Sequence, residues 1–260
     1  MRRLFLWGLA AAIAMACVIG LTTPAQAQIV SQNIVYEIDG EPYEGYFSIN
    51  QGFGEDQPLV MLVHDWDGLG DYEKRRAQML AERGYATFAV DLYGQGIRPA
   101  TTEASRQQSG QLYGDRETMR ERLFAGLEQA QMMPSVDPDR VAVIGYCFGG
   151  AATLEMARAG ADLDGFVSFH GGLTTPEGQT YDAVAGPLLI LHGSDDPVAP
   201  IEDVAQLVKE LNGANAEYTV ELYGGVDHAF TVWSDAERYD PDADLRSWDA
   251  MLSFFDVNLR

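Results

Sequence analysis

Residues 140–157 read RVAVIGYCFGGAATLEMA. Arg140 to Ile144 is a short apolar, β-branched run and predicts a buried strand. Ala151 to Ala157 is built of good helix formers, and Gly145-Tyr146-Cys147-Phe148-Gly149-Gly150 joins the two through a tight turn. The turn fits the pattern G-x-S-x-G with cysteine in place of serine. A nucleophile on such a turn is held in strained backbone geometry, and its neighbours must be small so that strand and helix can approach. The helix aims its first N–H groups at the turn, which favours a thiolate and, later, an oxyanion. A dinucleotide-binding loop would need G-x-G-x-x-G, and Tyr146-Cys147 breaks that after the first glycine. The plain alternative is a buried structural cysteine.

The amino terminus reads as a targeting segment. Arg2 and Arg3 precede the apolar run Leu4 to Leu21, and Pro24 precedes Ala25-Gln26-Ala27. That is the layout of a secretory signal peptide with cleavage expected after Ala27, leaving one domain over 28–260 in an exported, periplasmic or secreted protein. An uncleaved anchor is the other reading of the run; otherwise no stable membrane insertion is expected. Of the two cysteines, Cys17 falls in the signal, so Cys147 is left alone without a disulfide partner. A lone thiol in an oxidising compartment is a liability unless it is buried or useful. All 39 acidic residues lie beyond Ala27, and two of the 17 basic ones, Arg2 and Arg3, lie before it, so the remaining chain carries a formal −24. Such a charge argues against nucleic acid and against anionic membranes as partners. A solvated surface is the simple account of it; a saline habitat is the other.

Asn33 to Ile38 and Tyr43 to Ile49 alternate around Asp39-Gly40-Glu41-Pro42 and predict a β-hairpin. Continuous apolar runs at Leu59 to Val63, Tyr85 to Val90, Asp164 to Phe169 and Pro187 to Leu191, with Tyr218 to Tyr223, predict further strands. Helical patterns cover Tyr72 to Arg83, Arg116 to Met132, Ile201 to Leu211 and Asp244 to Phe255. Met133 to Asp139 is expected to be a turn, and Gly94 to Gly114 a long excursion with little regular structure. Strands alternating with helices give an α/β fold: a mostly parallel sheet with helices on both faces. Ligands then sit beyond the carboxyl ends of the strands, where the loops bearing Asp65, Cys147, Asp196 and His228 are expected to converge.

A cysteine nucleophile needs a base, and the base an orienting acid. The histidines are His64, His170, His192 and His228. With an elbow of this kind the chain order is nucleophile, acid, histidine. His228 is last and has the acidic loop Gly193-Ser194-Asp195-Asp196-Pro197 ahead of it, which makes Asp196 the acid and Asp195 the neighbour to distinguish from it. His170 and His192 could line a pocket or simply be packed. No His-x₃-His or Cys-x₂-Cys spacing occurs, so a metal is not expected. The oxyanion donors are expected at the backbone N–H of Phe148 and, from the loop after the Leu59 to Val63 strand, of Trp66. Trp66, Tyr93, Tyr113 and Phe230 are candidates for pocket walls or, equally, for core.

On Gly145 to Gly150, Val90-Asp91-Leu92-Tyr93, Gly193-Ser194-Asp195-Asp196 with Pro200, and Asp227-His228-Ala229-Phe230, the chain resembles the dienelactone hydrolase family of α/β-hydrolases. The resemblance implies an α/β-hydrolase fold, a triad of Cys147, His228 and Asp196, and cleavage of a small ester or lactone through an acyl-enzyme, as in a carboxymethylenebutenolidase, with no cofactor. It also places Asp65, one methylene shorter than the family's glutamate, at the thiol-activating position, and Tyr113 at a family tyrosine beside the site. Ala229 and Val232 stand where members that cleave dienelactone carry a serine and an arginine, and Ser109, with Arg106 nearby, stands where a further arginine is found. The carboxylate clamp is therefore largely missing. A different class of function, a non-catalytic binding protein that kept the fold, accounts for the same departures.

Overall fold

The computed structural model describes residues 28–259. The expected signal segment, 1–27, lies outside the described residues. Eight strands form one sheet: β1 (Ile29–Ile38), β2 (Glu41–Asn50), β3 (Gln57–Val63), β4 (Ala86–Val90), β5 (Val136–Tyr146), β6 (Gly165–Phe169), β7 (Leu188–Gly193) and β8 (Tyr218–Tyr223), in the order β1-β2-β4-β3-β5-β6-β7-β8. β1 and β2 pair antiparallel, β2 joins β4 antiparallel, and all other pairings are parallel. Six helices cover the faces: α1 (Asp71–Ala81), α2 (Thr102–Gly114), α3 (Arg116–Gln131), α4 (Phe148–Arg158), α5 (Ile201–Ala214) and α6 (Pro241–Asn258). None of them is long and apolar enough to cross a membrane.

The two-residue period of a strand explains the continuous apolar runs. Leu59, Met61 and Val63 of β3 enter one core, with Met119, Leu123, Leu154 and Leu207 of the helices on that side, while Val60 and Leu62 enter the other with Leu80, Met251 and Phe255. Both faces are dry, so alternation with polar residues is lost. The hairpin closes on Asp39-Gly40 alone, with Ile38 opposite Glu41. Both turn residues have positive φ, 52° and 82°, the twist that a two-residue hairpin demands.

Two expectations need correction. Gly94 to Gly114 is not irregular: from Thr102 onward it is α2, started by Thr101, whose hydroxyl accepts the Ala104 N–H. The buried positions of α2 are Ser105, Ser109 and Leu112, and the two serine hydroxyls donate to the carbonyls of Thr101 and Ser105 one turn back. A buried face made of self-satisfied serines has no apolar period. The expected turn over Met133 to Asp139 also ends early, because β5 begins at Val136. Its register against β3 jumps between Pro58, opposite Asp137, and Leu59, opposite Val141, so residues 138–140 are extruded and the missing N–H of Pro138 is tolerated.

Candidate active site

β3, β5, β7 and β8 run parallel, so the loops after them meet at one edge of the sheet. Cys147 lies between β5 and α4 with φ 53° and ψ −111°. A backbone of this kind in a non-glycine residue costs about 1–3 kcal/mol and is held only by its surroundings. Here the hold is close packing: a Cβ on Gly145 would strike the carbonyl of Gly149, and one on Gly149 would strike the carbonyls of Val63 and His64. The elbow helix is thus pressed directly onto the end of β3, and Phe148, its first residue, has an N–H without an intrahelical acceptor.

The sulfur of Cys147 is 3.1 Å from His228 Nε2, and His228 Nδ1 is 2.8 Å from Asp196 Oδ2. The other oxygen of Asp196 accepts the N–H groups of Val198 and Ala199 at 2.8 and 3.0 Å. Burial opposes charge on Asp196, but the His228 ring and the Ala199 N–H outweigh it and hold the carboxyl below its usual range. Burial likewise opposes charge on His228, yet the bonds to Asp196 and Cys147 lift its pKa to about 10. Asp195 points elsewhere, bonding the Ser194 hydroxyl. The arrangement can move a proton from sulfur to imidazole and hold the resulting cation.

The other histidines are buried braces. His64 has Nδ1 2.6 Å from the Asp65 carbonyl, while its Nε2 accepts the Leu92 N–H, tying the ends of β3 and β4. His192 holds the Ala199 carbonyl at 2.7 Å and so shapes the Asp196 loop. His170 contacts the backbone of Cys147.

The sulfur opens into a cleft of about 440 Å³ lined by Asp65, Trp66, Cys147, Val198, His228, Ala229 and Val232, with Asp67, Asp235 and Arg238 also on its wall. Asp65 is in the wall, its carboxylate accepting the Asp67 N–H at 3.0 Å. Burial first, then hydrogen bonding to Asp67 and the charges of Glu73, Asp67 and Cys147, push its carboxyl well above the carboxylate range. Asp65, Asp67 and Glu73 bring oxygens within 4.8 Å of one another, a grouping that could attract a cation. Protonation of the buried pair relieves the same repulsion, and Glu73 is already used, accepting the Gly70 N–H at 2.8 Å.

Of the four aromatic candidates, Trp66 lines the cleft. Tyr93 is buried and donates its hydroxyl to the Trp66 carbonyl at 3.0 Å, so it shapes the oxyanion-side loop instead of facing the cleft. Tyr113, near the end of α2, sets its ring edge-on to Phe148, 5.3 Å between centroids, and its hydroxyl feels the charge of Cys147. Phe230 is core, packed on His170 and Tyr223. Sequence reasoning also missed a cation on the cleft wall. Arg238 donates to the Asp235 carboxylate, and both line the cleft. The signal was there, an Asp-x-x-Arg turn in the loop after His228, but no element leads up to it.

Residues 44–259 match the family model described as the dienelactone hydrolase family. A protein of Synechocystis sp. provisionally named carboxymethylenebutenolidase is 27% identical over 230 residues, which are 83% of this chain and 92% of that protein. Among solved structures, a dienelactone hydrolase-like promiscuous phosphotriesterase from metagenomic libraries is 31% identical and superposes with a TM-score of 0.85, covering 90% of this chain and 100% of that one. The protein m3DLH is 33% identical with a TM-score of 0.84, covering 89% and 99%.

Proposed function

The chain belongs to the dienelactone hydrolase family, and from that premise we propose that it hydrolyses a small neutral ester or lactone through a thioester on Cys147. The relay from sulfur through His228 to Asp196, at 3.1 and 2.8 Å, carries the reading. His228 takes the thiol proton as sulfur forms a bond to the acyl carbon, and the Phe148 and Trp66 N–H groups receive the negative oxygen. The intermediate collapses, the C–O bond to the alcohol breaks, and His228 returns the proton to the leaving oxygen. A water molecule then gives a proton to the same nitrogen and its oxygen to the acyl carbon. A second oxyanion forms, the C–S bond breaks, and the acid leaves with the thiol restored. For a lactone the alcohol remains tethered to the acyl group.

The neutral substrate follows from the wall. Ala229 and Val232 line the cleft where a carboxylate clamp would be built, and Arg238 is occupied by Asp235. A cleft of about 440 Å³ suits a small molecule. Likeness to the phosphotriesterase supports neutral phosphotriesters as a second substrate class for the same sulfur. We also propose export, on the strength of residues 1–27: the secreted protein should begin at Gln28.

The test is hydrolysis of p-nitrophenyl acetate by residues 28–260 beside Cys147→Ala. Activity in the first and background in the second supports the thioester. Equal background rates in both, repeated on neutral lactones and a phosphotriester, would leave the non-catalytic binding protein.

A further inference from the structure

Three non-glycine residues with positive φ crowd the sulfur: Cys147 at 53°, His170 at 38° and Ala229, directly after His228, at 58°. The two partners of the Sγ–Nε2 contact therefore sit on, or next to, backbone that does not hold itself. His170 touches both sides. Its Nδ1 accepts the Cys147 N–H at 3.2 Å, shared with the Phe169 carbonyl at 3.1 Å, and its Nε2 is 2.7 Å from the hydroxyl of Thr231, three residues beyond His228. Since Nδ1 accepts, the ring proton is on Nε2 and is donated to Thr231. The backbone N–H of His170 donates to Leu191 at 2.8 Å, which ties the same residue to β7, the strand that leads to Asp196.

Thr231 is itself pinned. Its hydroxyl is 2.7 Å from the Tyr72 hydroxyl, and its carbonyl accepts from Arg76 Nη2 at 3.0 Å. Arg76 is fully buried, paired with Asp244 and flanked by the rings of Tyr72, Trp233 and Trp248. Burial, with His228 and His192 facing it, holds the His170 ring neutral. A charged ring at 5.2 Å from His228 would oppose the cation that the relay must form.

We propose that His170 is a positioning residue: an imidazole strut, anchored through Thr231, that sets the distance between Cys147 Sγ and His228 Nε2. The proposal rests on the thiol–imidazole relay put forward above. It concerns a residue that touches no substrate and does not line the cleft.

The variants are Thr231→Val, which removes the acceptor without changing shape; Thr231→Ser, which restores it; and His170→Asn, whose side-chain oxygen can keep the Cys147 N–H while losing the link to Thr231 and whose backbone tolerates positive φ. Rates of p-nitrophenyl acetate hydrolysis and of Cys147 alkylation by iodoacetamide at pH 7 are measured per folded protein. T231V and H170N should lower kcat at least tenfold with KM changed less than twofold, and should slow alkylation in parallel. T231S should keep at least half of the wild-type rate, and H170N/T231V should be no slower than H170N. Should H170N not fold, the Val and Ser pair decides. Unchanged kcat and alkylation in T231V, with only a lower Tm, would overturn the proposal and leave a packing role. Absence of Cys147-dependent hydrolysis in the wild type would instead remove the functional reading, while alkylation, which needs no substrate, still reports on the strut.

Discussion

Asp196→Asn is the sharpest perturbation of the relay. Lifting His228 from 6.5 to about 10 corresponds to about 5 kcal/mol at ~1.4 kcal/mol per pH unit. Asp196 and Cys147 supply it together, against the opposing effect of burial, so Asp196→Asn removes one of the two supports of the imidazolium. Orientation adds to this. The remaining oxygen must keep accepting the N–H groups of Val198 and Ala199, so the new amide N–H₂ is turned toward His228 Nδ1. Nδ1 then accepts and the ring proton moves to Nε2, the nitrogen 3.1 Å from sulfur. The ring can no longer take the thiol proton, and in the analogous serine relay an inverted tautomer slows turnover roughly 10⁴-fold. Turnover of p-nitrophenyl acetate should therefore slow by up to roughly 10⁴-fold. KM should change little, because Asp196 does not line the cleft. Retention of more than a fifth of the wild-type turnover by Asp196→Asn, with Cys147→Ala inactive, would refute the relay as drawn.

His228 binds its proton more tightly folded than unfolded. Its contribution to stability is therefore fully present below 6.5 and is lost as pH rises toward 10, so Tm followed by calorimetry should fall across that window more steeply in wild type than in His228→Gln. Glu73 is a raised acid, pushed up to about 7 by burial against the N–H groups of Gly70 and Asp65. The folded state holds its proton longer than the unfolded one, so stability declines from pH 4.5 to 7. Glu73→Gln should melt above wild type at about pH 8, and the two should converge by about pH 4. Gly149→Ala drives a methyl into the carbonyls of Val63 and His64; a loss of about 3 kcal/mol or more, seen as a Tm lowered by roughly 6–12 °C, is expected. An unchanged Tm would mean that the elbow helix stands off β3.

The residues that could be read in advance share a property: each had to satisfy two constraints at once. Cys147 is a rare side chain on a turn whose flanking glycines are required by contact with the Gly149 carbonyl and the end of β3, so composition and backbone geometry point to one place. His228 and Asp196 follow from chain order, because parallel strands deliver their loops to one edge in a fixed sequence. β3 and β7 were legible because both of their faces are buried and nothing polar interrupts them. α2 was hidden because Ser105 and Ser109 satisfy their own hydroxyls and can be buried without looking apolar. Pro138 masked the start of β5 because a bulge absorbs it. Tyr93 shows the remaining limit. An aromatic beside the elbow could face the cleft or hold a loop, and the choice is made by one hydroxyl finding the Trp66 carbonyl, a contact that spans 27 residues and leaves no period in the chain. His170 belongs to the same class. Its two side-chain hydrogen bonds come from the turn after β5 on one side and the loop after β8 on the other, so its role becomes visible only when the sheet has brought Cys147 and Thr231 to either side of one ring.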